Sequence, residues 1–358
     1  MRTFKVLFFT AINLAVICLL NFVLLKPSTL KLKVNEINVA GKSGNDYDFI
    51  AIGQSLIQAG IDPEILDERL GCHSYNCAVG SEQITTLQFL LDEIDAHNQI
   101  KTIVFGLNAT YWTGYDSAGY GTGVLEFATS IPTKINYIAN EMLFKKRFTD
   151  FAMYDLNLTT LRNIPIYSKI KSDRRYRNPL DETLEWVNLT LAEHDRQTHN
   201  CYEFRPRGFN YGFELRPESN AYYKPLIFAT RDVPEDKVAS FEQFVKECNK
   251  RNINLICISS AMSPHRLSKE NYSDVHTFFS ELCQKNGVPY YDMTFAPSLS
   301  DRTDNDYLDW DGHMMGSLAQ KQTRFLCDVL TSQEPENYFY KNYADLMSAM
   351  KITIPEIQ

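Results

Sequence analysis

The chain has 358 residues, of which 44% are hydrophobic. That is the composition of a folded protein, long enough for one large domain or two ordinary ones. A formal net charge of −8 argues against a general nucleic-acid binder, which carries a basic excess. There is no CxxC metal pattern and the histidines are scattered, so neither a metal nor a cofactor is expected.

Residues 1–5 carry Arg2 and Lys5, and the run from Val6 to Leu25 is apolar except for Thr10, Asn13 and Asn21. A run of about 20 such residues is long enough to cross a bilayer as one helix, and the flanking charge keeps the N-terminus cytoplasmic. A cleaved signal peptide is the rival. It would have a shorter apolar core and a small-residue cleavage site, whereas Leu25-Lys26-Pro27-Ser28 follows here. The expectation is therefore a retained anchor over 6–25, with the remaining chain periplasmic or extracellular.

Residues 26–47 read as a polar stalk, and 48–332 as the main domain. Phe49 to Gly53 is a buried strand, followed by a turn and a helix-like stretch from Ser55 to Leu70. Ile84, Leu87, Leu91 and Ile94 recur at helical spacing, and Ile103 to Phe105 is the next strand. From about 111 to 225 the pattern breaks down, which suggests a helical insertion or lid. Its basic run of Lys169, Lys171, Arg174, Arg175 and Arg177 reads as a solvated face or as a contact for anionic polymer or lipid headgroups. The alternation then resumes. Val238, Phe241, Val245 and Cys248 line a helix, and Leu255 to Ile258 is a strand. Val275, Phe278, Phe279 and Leu282 line a helix, and Val288 to Asp292 is a strand. Leu318, Phe325, Leu326 and Leu330 line the last helix. Residues 333–358 read as a peripheral tail. Strands alternating with such helices predict a parallel sheet covered on both faces, a three-layer α/β/α sandwich.

Gly53-Gln54-Ser55 and Gly106-Leu107-Asn108 each follow a buried strand, and Asp311-Gly312-His313 precedes the last helix. Doubly wound sheets bind ligands beyond the carboxyl ends of their strands, so Ser55, Asn108 and His313 can converge there. A hydroxyl needs a base to become a nucleophile, which assigns Ser55 and His313 to those roles. A tetrahedral intermediate needs fixed donors, which the Asn108 amide and the backbone N–H of Gly80 would supply. A catalytic imidazole needs an orienting partner, and both Asp309 and Asp311 lie within four positions of His313, with Asp311 slightly favoured. The blander readings are Ser55 as a helix N-cap, Asn108 as a turn residue and His313 as a surface histidine. The other histidines read as structural or exposed. Sequons occur at Asn108, Asn157, Asn188 and Asn271, and Cys72 and Cys77 are close enough in sequence to pair.

Taken in order, Ser55, Gly80, Asn108 and His313 resemble the Ser, Gly, Asn and His blocks of the SGNH, or GDSL-type, hydrolase superfamily. The likeness spans about residues 48–110 and 250–330. It departs at Gln54, where the family name has Asp, and at Trp310, where the orienting Asp usually stands. The resemblance implies a flavodoxin-like sandwich and a serine esterase or O-acyltransferase working through an acyl-enzyme. The substrate would be an acylated carbohydrate or other cell-surface polymer. The apolar N-terminus and the stretch from Phe49 to Pro63 are also similar to the membrane-tethered group that includes the D-alanyl transfer protein of teichoic acid synthesis. That likeness implies a membrane-bound O-acyltransferase as partner. Tyr111, Trp112 and Tyr115 would be available to stack on sugar rings, or equally would serve as ordinary lid packing. The different-class alternative is a decayed, non-catalytic binding or scaffolding protein, for which the irregular Asp/His block is the best support.

Overall fold

The computed structural model describes residues 27–80, 84–113, 123–140, 158–177 and 201–353, together with residues 8, 9, 12, 183, 185–187 and 190. Its elements run α1 (Thr29–Lys42), β1 (Phe49–Ile52), α2 (Ser55–Gln58), α3 (Pro63–Leu70), β2 (Ser74–Asn76), α4 (Leu87–Asp95), β3 (Thr102–Gly106) and α5 (Ala109–Trp112). Next come α6 (Val124–Phe127), α7 (Ile131–Tyr137), α8 (Leu158–Ser172), α9 (Arg174–Arg177), β4 (Tyr202–Arg205) and β5 (Phe209–Gly212). The chain continues with α10 (Glu235–Lys250), β6 (Asn254–Ser259), α11 (Pro264–Leu267), α12 (Tyr272–Asn286), β7 (Tyr290–Asp292), α13 (Gly316–Thr331) and α14 (Tyr343–Met350).

Five strands pair in parallel in the order β2-β1-β3-β6-β7. All four β1 residues are buried, as expected for a strand with both faces covered. The pleat sends alternate residues to opposite sides. Ile50, Ile52, Ile103 and Phe105 join a core with α1, α4, α10 and α12. Phe49, Ala51 and Val104 join a second core with α2, α3 and α13. The expected α/β architecture, with a parallel sheet between two layers of helices, is therefore observed. The strand order reverses between β1 and β3, and such a switch point is where an open α/β sheet leaves a crevice.

Three sequence expectations need correction. The stretch read as a polar stalk over 26–47 is largely helix α1, and its Leu30, Val34 and Ile37 lie in the first core. Their i, i+4, i+7 spacing is an apolar stripe that the intervening lysines and asparagines disguise. The same helix buries Lys33, whose ammonium donates to the carbonyls of Asn76, Ala78 and Gly208 at 2.9, 2.6 and 2.8 Å. Within the insertion, β4 and β5 form an antiparallel hairpin rather than helix, and Phe209 packs in the second core. The tail is not peripheral throughout, because Leu346 and Met347 of α14 are buried in the first core.

Cys72 and Cys77 are free thiols. Strand β2 lies between them, and burial, with the nearby Asp67 and Asp48 charges, pushes the Cys72 thiol up to about 12. The anchor expected over 6–25 falls almost wholly outside the described residues. Among the described residues no helix is long and apolar enough to cross a membrane.

One contact ties the sheet to the turn that carries Ser55. A Cβ at Gly106 would collide with the Ile57 side chain, so only glycine lets α2 lie this close to β3. Gly106→Ala is expected to cost about 1–3 kcal/mol by overpacking. Ile57→Ala should relieve part of that cost, so urea unfolding of the two single variants and the double should be clearly non-additive. Strict additivity would mean that the contact does not set the spacing.

Candidate active site

Ser55 stands where the chain leaves β1 and turns into α2. Gly53 makes the turn possible, with φ at +145° and room for a Cβ only 2.9 Å from Ile57 Cγ1; glycine alone takes that backbone without strain. Buried Asn76 fixes the far side of the turn, donating through Nδ2 to the carbonyls of Ile57 and Ile61 at 2.9 and 2.8 Å. The N-cap of α2 is Gln54, not Ser55. Instead, the half-buried Ser55 Oγ lies 2.8 Å from His313 Nε2.

His313 reaches Ser55 from a short hairpin. Tyr307 bridges Met314 in antiparallel fashion, and Leu308 N–H donates to the His313 carbonyl at 2.7 Å. The turn between them closes with Gly312 N–H on the Asp309 carbonyl at 3.2 Å, and Gly312 takes a φ of +94°. Asp first and Gly fourth are residues that such a turn favours. The turn brings the buried Asp309 against His313, with both carboxylate oxygens 2.9 Å from Nδ1. The His313 backbone N–H also donates to Asp309 at 3.3 Å.

The orienting carboxylate is therefore Asp309. Asp311, slightly the better candidate from sequence, makes no hydrogen bond to His313. It sits at the turn's tip, and its backbone carbonyl accepts from Arg266 Nη1 at 2.9 Å. Arg266 is itself buried and doubly bonded to buried Glu270, at 2.9 Å on each arm. This ion pair one helical turn apart pins the tip from below. Sequence reading passed over it, although Arg-x-x-x-Glu is a recognisable helical pairing.

The two aspartates titrate in opposite senses. Burial opposes charge on Asp309, but the hydrogen bonds and charge of His313, with help from Arg216, outweigh it and hold the carboxyl below its usual value. Burial, reinforced by the Asp309 charge, pushes Asp311 up. A lowered native pKa gives stability that is present above the unfolded value, about 3.9 for Asp, and is lost as pH falls through the native one. Wild type should therefore lose its stability advantage over Asp309→Asn as the pH drops below about 4. For Asp311→Asn the sign reverses, since a raised pKa favours the folded state in acid. Urea midpoints from pH 7 to pH 3 would check both, and parallel curves for wild type and Asp309→Asn would contradict the first.

Asn108 follows β3 and caps α5, its Oδ1 accepting from Thr110 N–H at 3.2 Å. With Oδ1 so held, Nδ2 is directed elsewhere and meets no acceptor among the described residues. Asn108 lines a cleft with Leu56, Leu107, Ser259, Arg266 and Glu270. At the Asn271 sequon the amide is occupied, by both Phe228 backbone groups and Asp274, which makes it a poor glycosylation acceptor. Asn157 and Asn188 lie outside the described residues.

Gly80 is exposed and a Cβ there would meet nothing. Cys77 and Val79 N–H continue the ladder onto the carbonyls of Ala51 and Gly53, at 2.8 and 3.0 Å. This register sets Gly80 just past β2, beside the Ser55 turn. The helix read from the spacing of Ile84, Leu87, Leu91 and Ile94 starts at Leu87, after a 3₁₀ turn over Ile84–Thr86.

Of the aromatic residues after Asn108, Trp112 is fully buried against Phe241, Phe278 and Phe279. It packs the core and faces no ligand, and Tyr115 lies outside the described residues. A different aromatic stands near the site. Trp310, on the His313 turn, is 39% exposed and stacks on His265 with ring centroids 4.4 Å apart. A second histidine–carboxylate pair, His276 Nδ1 with Asp292 at 2.8 Å, escaped sequence reading because 16 positions separate its members. Its Nε2 has Ser280 Oγ at 3.5 Å, one helical turn along α12, which is too long for efficient proton transfer.

Among the described residues no group of three or more His, Cys, Asp or Glu side chains could hold a metal ion. The fold and this geometry define an α/β protein with a serine–histidine–aspartate chain at the sheet's switch point. Neither the family models nor the curated proteins compared with the chain give a match.

Proposed function

We propose that the protein is a serine esterase or O-acyltransferase of the SGNH type that acts on acyl esters of carbohydrate or another cell-surface polymer. The observation that carries this reading is the unbroken chain from Ser55 Oγ through His313 to Asp309, with links of 2.8 and 2.9 Å. Ser55 gives its proton to Nε2 as Oγ attacks the ester carbonyl carbon. The N–H groups of Ser55 and Gly80 and the Asn108 amide receive the oxyanion, and each such donor is worth about 10²–10³ in rate. Collapse breaks the carbonyl–oxygen bond to the alcohol, which leaves with the proton from His313. The acyl-enzyme then passes its acyl group to water or to another hydroxyl, with His313 again as base.

Several features support the details. The partly exposed Trp310, on the turn that carries His313, suits a sugar ring. A retained anchor over 6–25 would hold the domain outside the cytoplasm, next to a membrane-bound O-acyltransferase as partner. The alternative of a decayed binding module drew its support from the irregular Asp/His spacing, and the turn at Asp309–Gly312 accounts for that spacing.

The test is rapid mixing of the full chain with 4-nitrophenyl acetate. An acyl-enzyme mechanism gives a burst of nitrophenol close to the protein concentration, followed by slower turnover that an added alcohol accelerates. Release no faster than with Ser55→Ala would contradict the proposal.

A further inference from the structure

We propose that the face formed by Ile131, Ile135 and Ile138, with Lys31, Lys134 and Lys171, rests on a bilayer surface that carries anionic headgroups. The proposal is independent of the chemistry at Ser55.

Helix α7 and its C-cap residue present three isoleucines, Ile131, Ile135 and Ile138, to solvent at i, i+4 and i+7, with exposures of 72%, 61% and 39%. Single exposed apolar residues are ordinary. A stripe at helical spacing is not, when the helix is firmly seated. Here Thr133 and Tyr137 are buried, and Tyr137 meets the Phe89 ring edge-on at 5.2 Å. The Glu93 carboxylate holds the chain just before the helix through Thr129 and Ser130. The stripe is thus held outward by packing on its opposite side.

Cations gather beside it. Burial lowers Lys31, and the neighbouring Lys134 charge lowers it further. Burial likewise brings Lys171 down to about 8, with Lys31 adding to the effect. Lysines that perturb one another are close together, and Glu126 is the carboxylate they share. All three are half-buried, and Lys134 lies on α7 between Ile131 and Ile135; long cationic side chains of this kind suit a headgroup layer beside an apolar face. Lys169 and Arg174 are exposed on the adjoining α8 and α9, and Tyr176 ties α9 to the start of α1 by accepting from Ser28 N–H at 2.9 Å.

Position and charge select the occupant. The apolar run ends at Leu25, and the chain from there to Lys31, helical from Thr29, spans less than about 22 Å. Phe8, Phe9 and Ile12, within that run, are exposed by 59%, 69% and 45%. The basic face thus begins within a short tether of a segment suited to lipid. A second copy fits poorly, because a twofold contact brings the same patch against itself and would oppose lysine to lysine.

The experiment uses the full chain reconstituted in nanodiscs, with Ile135→Trp as the reporter. In discs with anionic lipid, the added emission should be blue-shifted and should be lost when the acyl chains are brominated. Lys31→Glu with Lys134→Glu, checked for an unchanged circular dichroism spectrum, should restore the emission, as should purely zwitterionic discs. Emission at the wavelength of exposed tryptophan, or failure of the chain to associate with discs, would overturn the proposal. So would quenching that neither charge change affects. A blue shift that bromine does not quench and that grows with protein concentration would assign the face to a second copy instead.

Discussion

Alanine at Ser55 or at His313 is expected to lower kcat for ester cleavage by about a millionfold, and the double substitution should cost no more than either alone. The reason is geometric. Ser55 Oγ has His313 Nε2 at 2.8 Å, so each residue is useless to the reaction without the other. Residual activity, about 10³–10⁴ over water, would come from binding and the oxyanion donors. The measurement is steady-state turnover of a 4-nitrophenyl ester by the three variants. Multiplicative losses would show that the two side chains act separately, and a small loss at either would remove it from the chemistry.

The second large effect separates the two aspartates. Asp309→Asn keeps the side chain's shape, but an amide that donates to Nδ1 presents the wrong tautomer to Ser55. A loss of about 10⁴ in kcat is expected, as for triads in which this group is changed. Asp311→Asn should change kcat by less than about tenfold, since its carboxylate does not touch His313 and the Arg266 bond is to its backbone carbonyl. Equal losses would mean that the turn shifts during reaction so that both carboxylates serve the imidazole.

Strands β1, β3 and β6 were legible because they are short apolar runs with both faces buried, such as Phe49–Ile52, whereas the edge strand β2 over Ser74–Asn76 has no apolar run to mark it and was not read. The residues after β1 and β3 were legible for the same reason, since a strand's carboxyl end fixes where the next residues emerge. What misled was local disguise. Helix α1 hid its stripe among lysines and asparagines, one of which, Lys33, is buried by three carbonyls. The Asp309/Asp311 choice turned on a turn in which two residues differ in direction but not in type. The Asp-x-x-Gly pattern from Asp309 to Gly312 carried that signal. The Trp310–His265 stack depended on residues 45 positions apart, beyond any local pattern.

The most direct measurement is labelling of the full chain by a small fluorophosphonate, with the modified residue located by mass spectrometry. The account predicts one adduct, on Ser55, absent from Ser55→Ala and formed far more slowly in His313→Ala. A folded wild type that takes no label, or an adduct that persists in Ser55→Ala, would contradict it.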